Sequence, residues 1–135
     1  MAADQLSYFP EFKGLDKKEV QLSVIRELRK YRALKVKIEN RKEQQEQGVF
    51  LFSSLRKANG FEDVRKEEQL LVKQVDRALN VSIDETERSI IELKYLSPFV
   101  MNDLDIYTEL GLKKGKYYEK KSSAIFGVAL ALGII

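Results

Sequence analysis

Residues 102–132 read NDLDIYTELGLKKGKYYEKKSSAIFGVALAL, and this stretch decides the fold. Asn102 or Asp103 is placed to cap a short helix carrying Leu104, Ile106, Tyr107 and Leu110, because a short polar side chain can satisfy the unpaired N–H groups of a first turn. Gly111 then ends that helix as a left-handed cap. Leu112 turns the corner, and a longer helix is expected from about Lys113 towards Leu132. A short helix, a glycine turn and a second helix opening with lysines is the arrangement of a helix-turn-helix. Ile106, Tyr107 and Leu110 are expected to pack against Tyr117, Ala124 and Val128.

Working upstream, Asp84 with Glu87 three residues later is a capping-box signature for a third helix. It holds Ile90, Ile91, Leu93, Tyr95 and Leu96, and Ser97-Pro98 stops it, since the residue before proline is driven out of the helical region. A second helix is expected from about Glu62 to Leu79, with Val64, Leu71, Val75 and Leu79 on one side and the turn signal Asn59-Gly60 before it. Val49 to Leu55 is too short and too apolar to type by periodicity; a short strand or helix packed under the core is the expectation. Upstream again, Asp16 with Glu19 forms another capping-box pair. Val20, Val24, Leu28, Tyr31, Leu34 and Ile38 follow at spacings of four and three, which predicts one long amphipathic helix, fraying or continuing exposed until Gly48. Tyr8, Phe9, Pro10 and Phe12 make an aromatic arm that its proline favours as extended chain. The whole therefore reads as all-α, with four or five helices. It divides into an N-terminal arm and long helix (1–58), a dimer or polymerase contact, and a C-terminal helix-turn-helix domain (59–135).

Composition bounds the chemistry. The 135 residues include neither cysteine nor histidine, which excludes disulfides, thiolate metal sites and the usual general base. No recognisable catalytic constellation remains, so an enzyme is not expected, nor a cofactor or metal. Charged residues are 33% of the chain against 44% apolar, too apolar for wholesale disorder. The N-terminus lacks the basic and apolar blocks of a secretory signal, and a cytoplasmic, nucleoid-associated location is expected. The apolar end from Ala124 to Ile135 is too short to span a bilayer, so it reads as a buried face or a partner surface.

Net charge is only +3, so placement matters more than total. Lys113, Lys114, Lys116, Lys120 and Lys121 stand against the single Glu119, just after Asp103, Asp105 and Glu109. A second basic stretch runs through Arg26, Arg29, Lys30, Arg32, Lys35 and Lys37. A helical wheel puts Tyr117, Ala124, Ile125, Val128 and Leu132 on the inner face of the fifth helix. Lys114 and Tyr118 look out on one flank, and Lys113, Lys116 and Lys120 on the other. Double-stranded DNA is the partner this pattern suits. Lys114 and Tyr118 are candidates for base edges, while Lys113, Lys116, Lys120 and Lys121 are candidates for phosphates. The same lysines also fit a solvated helix face, and Gly115 fits either close approach to DNA or mere tolerance.

The run from Glu87 to Leu96 (ERSIIELKYL), with Ile106 to Leu112 (IYTELGL) and Ala124-Ile125, resembles region 4 of bacterial sigma factors. More widely, the chain is similar to the ArpU-like late-gene regulators of phages of Gram-positive bacteria. The matching pieces are Phe9-Pro10, Asp16-Lys17, Tyr31-Arg32, Leu34-Lys35, Ile90 to Leu96, Tyr117-Tyr118, Lys121 and Ala129 to Ile134. The resemblance implies an activator of late phage or prophage transcription with a sigma-like DNA-binding end. One departure stands out: the family often has serine or threonine after the glycine turn, where this chain has Leu112-Lys113.

The expected function is thus a sequence-specific DNA-binding transcriptional regulator that contacts RNA polymerase or a second copy through its N-terminal part, and no membrane. Its rivals are a small helix-turn-helix DNA-packaging (terminase small) subunit and an adaptor that binds protein alone.

Overall fold

The computed structural model describes residues 14–56 and 61–135. The aromatic arm and the Asn59-Gly60 turn lie outside the described residues. The architecture is all-helical: α1 (Lys17–Gln47), α2 (Phe61–Val81), α3 (Glu85–Ile91) running into a π-helical turn (Glu92–Leu96), α4 (Asp103–Glu109) and α5 (Lys114–Ala131).

The helix starts follow their capping chemistry. The Asp84 carboxylate accepts from the Glu87 N–H at 2.8 Å, and the Glu87 carboxylate accepts from the Asp84 N–H at 2.9 Å, a complete box. Asn102 caps α4 through the Asp105 N–H at 2.8 Å. Asp16 caps α1 through the Lys18 N–H at 2.9 Å, instead of the Glu19 N–H a box would use. α1 does not fray after Ile38; its polar last turns stay helical to Gln47, and Gly48 closes them in the left-handed conformation.

The larger core cluster gathers Val20, Val24, Leu28 and Tyr31 from α1, Val75 and Leu79 from α2, Ile91 from α3, and Ala124, Ile125, Val128 and Ala129 from α5. A smaller one gathers Ile90, Ile106 and Tyr117, with Leu93, Tyr107, Leu110 and Leu112 around them. α3 and its π turn form the wall between the two. Ile90 and Leu93 serve the smaller cluster, whereas Ile91, Tyr95 and Leu96 serve the larger. The wider i→i+5 turn shifts the register by which a helix of normal pitch would present these positions.

Two expectations about packing are corrected. Ala124 and Val128 pack in the α1–α2–α3 cluster and not against α4. They lie two and three turns beyond Tyr117, past the end of so short a helix as α4. Val49 to Leu55 is neither strand nor helix, and is not under the core: Phe50 is 84% and Phe52 81% exposed. Beyond Tyr31, α1 meets α2 mainly through ionic contacts, which offer an apolar segment little to pack on. Glu68, buried between the helices, takes both Lys37 and Arg41, and Asp76 takes Tyr31 and Lys35. The Val49 N–H, donating to Gln44 O at 3.0 Å, and the Leu51 N–H, donating to Gln44 Oε1 at 2.9 Å, tie the segment back to the end of the helix. The division near residue 58 falls in the connection between α1 and α2, and the larger cluster runs across it. No helix among the described residues is long and apolar enough to cross a membrane.

Candidate nucleic-acid interface

The turn between α4 and α5 is built on Gly111. Its φ of 68° lies in the left-handed region, where an L side chain costs roughly 1–2 kcal/mol. The Gly111 N–H donates to Thr108 O at 3.2 Å and the Leu112 N–H to Tyr107 O at 2.9 Å, the two bonds of a Schellman motif. The chain thereby leaves α4 sharply, and Leu112 drops into the smaller cluster. Tyr117 fixes α5 against α4 from the other side. Its ring is fully buried and lies 5.5 Å from the Tyr107 ring, and its hydroxyl donates to Asp103 Oδ1 at 2.6 Å. Burial, and then the Asp103 carboxylate beside it, push the Tyr117 hydroxyl far above the ordinary range of a phenol, so it is a permanent donor.

Asp103 is the junction of this region. Besides Tyr117 it accepts from Lys121 Nζ at 3.0 Å and pairs with Lys94 at 3.5 Å. Burial alone would raise its pKa, but the bonds from Tyr117 and Lys121 outweigh that and hold the carboxyl below its usual range. Lys120 is engaged in the same way, 2.5 Å from Asp84 Oδ2. That contact, followed by the Glu87 N–H, lowers the Asp84 carboxyl.

The six candidate residues therefore fall into two sets. Lys113, Lys114, Lys116 and Tyr118 are exposed, and the three lysines have no carboxylate partner among the described residues. Lys120 and Lys121 are half-buried and pinned to Asp84 and Asp103. Tyr118 leans edge-on against Tyr117, with ring centroids 5.2 Å apart, and Lys121 Nζ sits 5.8 Å from its ring. Around Gly115 there is open space. The sequence offers Asn102 or Asp103 as the cap of α4 and Asp84 as the cap of α3, and the structure gives the α4 cap to Asn102. The hold of Asp84 and Asp103 on lysines of α5 is not legible there, beyond the opposed charges of residues 103–109 and 113–121.

The second basic stretch is partly neutralised as well. Lys30 pairs with Glu27 at 3.2 Å, Lys35 with Asp76 and Lys37 with Glu68, leaving Arg26, Arg29 and Arg32 exposed on α1.

The start of α5 differs from those of α1, α3 and α4, each of which has a capping side chain and an acidic first turn. Lys113 at the N-cap makes no side-chain cap, and no acid occupies the first turn. Cations at this end oppose the helix dipole, each costing about 0.3–1 kcal/mol at an exposed site. The arrangement leaves unpaired N–H groups and three free ammonium groups facing solvent together, a surface that would gain from an anion. No family model, curated protein or solved structure matches the chain.

Proposed function

We propose that the protein is a sequence-specific double-stranded DNA-binding transcriptional regulator, an activator of phage or prophage late genes, with α5 as its recognition helix. The observation that carries this reading is the start of α5, uncapped, without acid and bearing exposed Lys113, Lys114 and Lys116, on a helix braced by a glycine turn. Phosphate would satisfy both the N–H groups and the lysines there. Lys114 and Tyr118 are the side chains proposed for base edges, and Lys113 and Lys116 for phosphates. Lys120 and Lys121, already paired, are proposed as braces that add field more than contact. The resemblance to ArpU-like regulators and to sigma region 4 supports the same reading, with RNA polymerase or a second copy as the further partner.

The protein-only adaptor keeps one observation in its favour, the neutralisation of Lys120 and Lys121 by carboxylates of the same chain. The deciding experiment is selection of bound fragments from host and phage DNA, followed by titration of the selected site against random DNA at several salt concentrations. A regulator enriches discrete sites and binds them with a steep salt dependence. An adaptor enriches none.

A further inference from the structure

Two exposed apolar surfaces of opposite charge stand far apart on the described residues. The first is an open groove of about 510 Å³ between the later turns of α1 and the start of α2, lined by Phe50 and Phe52 together with Val36 and Val64. The two rings are 84% and 81% exposed and present roughly 250–400 Å² between them, a patch of the size that marks a binding surface on a monomer. Its charge is positive. Lys37 and Arg41 share the single carboxylate of Glu68, and Arg56, also in the lining, pairs with no carboxylate among the described residues, so a positive surplus remains. Arg41 Nη2 is moreover buried with no hydrogen-bond acceptor, a charged donor for which an incoming carboxylate would be a strong partner. The second surface is a ridge. Met101 anchors the loop before α4 in the smaller cluster, while Phe99 and Val100 project from it, 75% and 102% exposed. Exposed Leu104 continues the apolar surface onto α4. Asp105 and Glu109, exposed one turn apart on that helix, add two carboxylates with no ionic partner among the described residues, whereas Asp103 is taken by Lys94 and Lys121.

We propose that the ridge of one copy seats in the groove of the next, so that the protein associates head to tail. The occupant follows from complementarity. Phe99, Val100 and Leu104 form an apolar projection for an apolar hollow, and Asp105 and Glu109 bring carboxylates to a cationic lining that holds an orphaned guanidinium donor. One chain cannot satisfy itself. α4 packs on α5 and on the π turn, and that turn packs into the cluster held by Val20, Val24 and Leu28 in the first half of α1. Arg41 stands 17 residues beyond Val24, about 26 Å along the helix axis. Because groove and ridge are different surfaces, the contact is heterologous, and it propagates into a row or a ring instead of closing as a two-fold pair. Its small area suits a weak, concentration-dependent association. The contact does not depend on whether α5 meets DNA. Where α5 does, copies joined in this way would bind neighbouring sites cooperatively.

The test is sedimentation velocity of the full chain, freed of nucleic acid, from micromolar to near-millimolar concentration. The parent chain is expected to form a series that grows past the dimer, or a closed ring of three or more copies. Its association should weaken several-fold as salt is raised, because the charges at the junction are screened. Phe52→Asp spoils the groove and Phe99→Lys spoils the ridge. Both positions are exposed, so the helical circular dichroism of each variant should match the parent. Each variant alone should stay monomeric over the range in which the parent assembles. An equimolar mixture retains one intact ridge, on Phe52→Asp, and one intact groove, on Phe99→Lys, and should form a one-to-one dimer that grows no further. A parent that stays monomeric at every concentration, or that stops at a dimer, overturns the proposal. So does a mixture of the two variants that remains monomeric, or an association that salt leaves unchanged. Occupation of either surface by a different protein would appear as the first of these outcomes.

Discussion

Asp103 concentrates more of the local energetics than any lysine around it. It caps nothing that Asn102 does not already cap, yet it receives the Tyr117 hydroxyl and two ammonium groups. Asp103→Ala leaves a hydroxyl without an acceptor inside the smaller cluster, and an orphaned buried donor costs about 1–3 kcal/mol. We expect a loss of that size in chemical or thermal unfolding, whereas Asp105→Ala, at the exposed surface of the same helix, should cost much less. The acid response has a definite sign. Because the folded-state pKa of Asp103 is held below its ordinary value near 3.8, its contribution is fully present above that value and is lost as pH falls through the lower, folded one. Unfolding curves between about pH 2 and pH 6 should therefore fall less steeply in Asp103→Asn than in the parent chain. Parallel curves would place the acid sensitivity elsewhere, with Asp84 and Glu68 next in line. At the same scale, Lys114→Ala should cost on the order of 1–3 kcal/mol at the selected DNA site and little on random DNA. Lys116→Ala should weaken both about equally and flatten the salt slope by about one unit. Lys120→Ala, by contrast, should show most of its effect in unfolding, through loss of the Asp84 pair.

Among the elements, α5 is the one whose start works against its own stability. Restoring a cap with Lys113→Ser should stabilise the protein by about 1 kcal/mol, and Lys113→Asp should add the favourable dipole interaction. If the start of α5 is kept uncapped for an anion, both variants raise the melting temperature while weakening DNA binding, Lys113→Asp more so. A gain in both properties would separate the uncapped start from function. Gly127 sets a different limit on α5. A Cβ there would lie 2.8 Å from Ile83 Cγ2, and 3.6 Å from Ser82 O. Gly127→Ala should thus destabilise by about 1–3 kcal/mol through overpacking, despite alanine's better helix propensity. Calorimetry of the variant checks this, and a neutral result would mean that Ile83 gives way freely. The element level is also where the sequence was most legible. Asp84 with Glu87, Asn102, Gly111 and Ser97-Pro98 each act through neighbours a few residues away, so their patterns carry the geometry whole. The π turn over Glu92–Leu96 was not legible, because the spacing of Ile90, Ile91, Leu93, Tyr95 and Leu96 suits a helix of either pitch. Nor were the Lys120–Asp84 and Lys121–Asp103 pairs, which join residues 36 and 18 positions apart and exist only once α5 is laid across α3 and α4. Phe50 and Phe52 misled for the opposite reason: local hydrophobicity pointed inward, while α1 beyond Tyr31 holds α2 by charge and offers them no apolar bed.

For the molecule as a whole, the decisive feature is that α1 belongs to the core of the C-terminal helices. The sequence divides the chain near residue 58, with the arm and long first helix assigned to a partner contact and residues 59–135 to a helix-turn-helix domain. In the fold, Val20, Val24, Leu28 and Tyr31 are buried against Val75, Leu79, Ile125, Val128 and Ala129. At about 1.5–3 kcal/mol for each large apolar side chain buried, the four α1 residues contribute roughly 6–12 kcal/mol, as much as the entire net stability of a typical domain. The smaller cluster around Ile90, Ile106 and Tyr117 includes no residue of α1, and it holds three buried side chains. A fragment of residues 59–135 should therefore retain helix in the far ultraviolet yet lose its fixed packing, bind a hydrophobic dye, and show a collapsed range of amide shifts, the marks of a molten state. Its affinity for the selected DNA site should fall with the packing, since the orientation of α5 depends on both clusters. Adding the separate peptide 14–48 should restore shift dispersion and DNA binding together, because the missing apolar face is then supplied in trans. A fragment that is well dispersed and binds half-sites alone would show that α2 to α5 suffice, and would return α1 to the role of a partner surface.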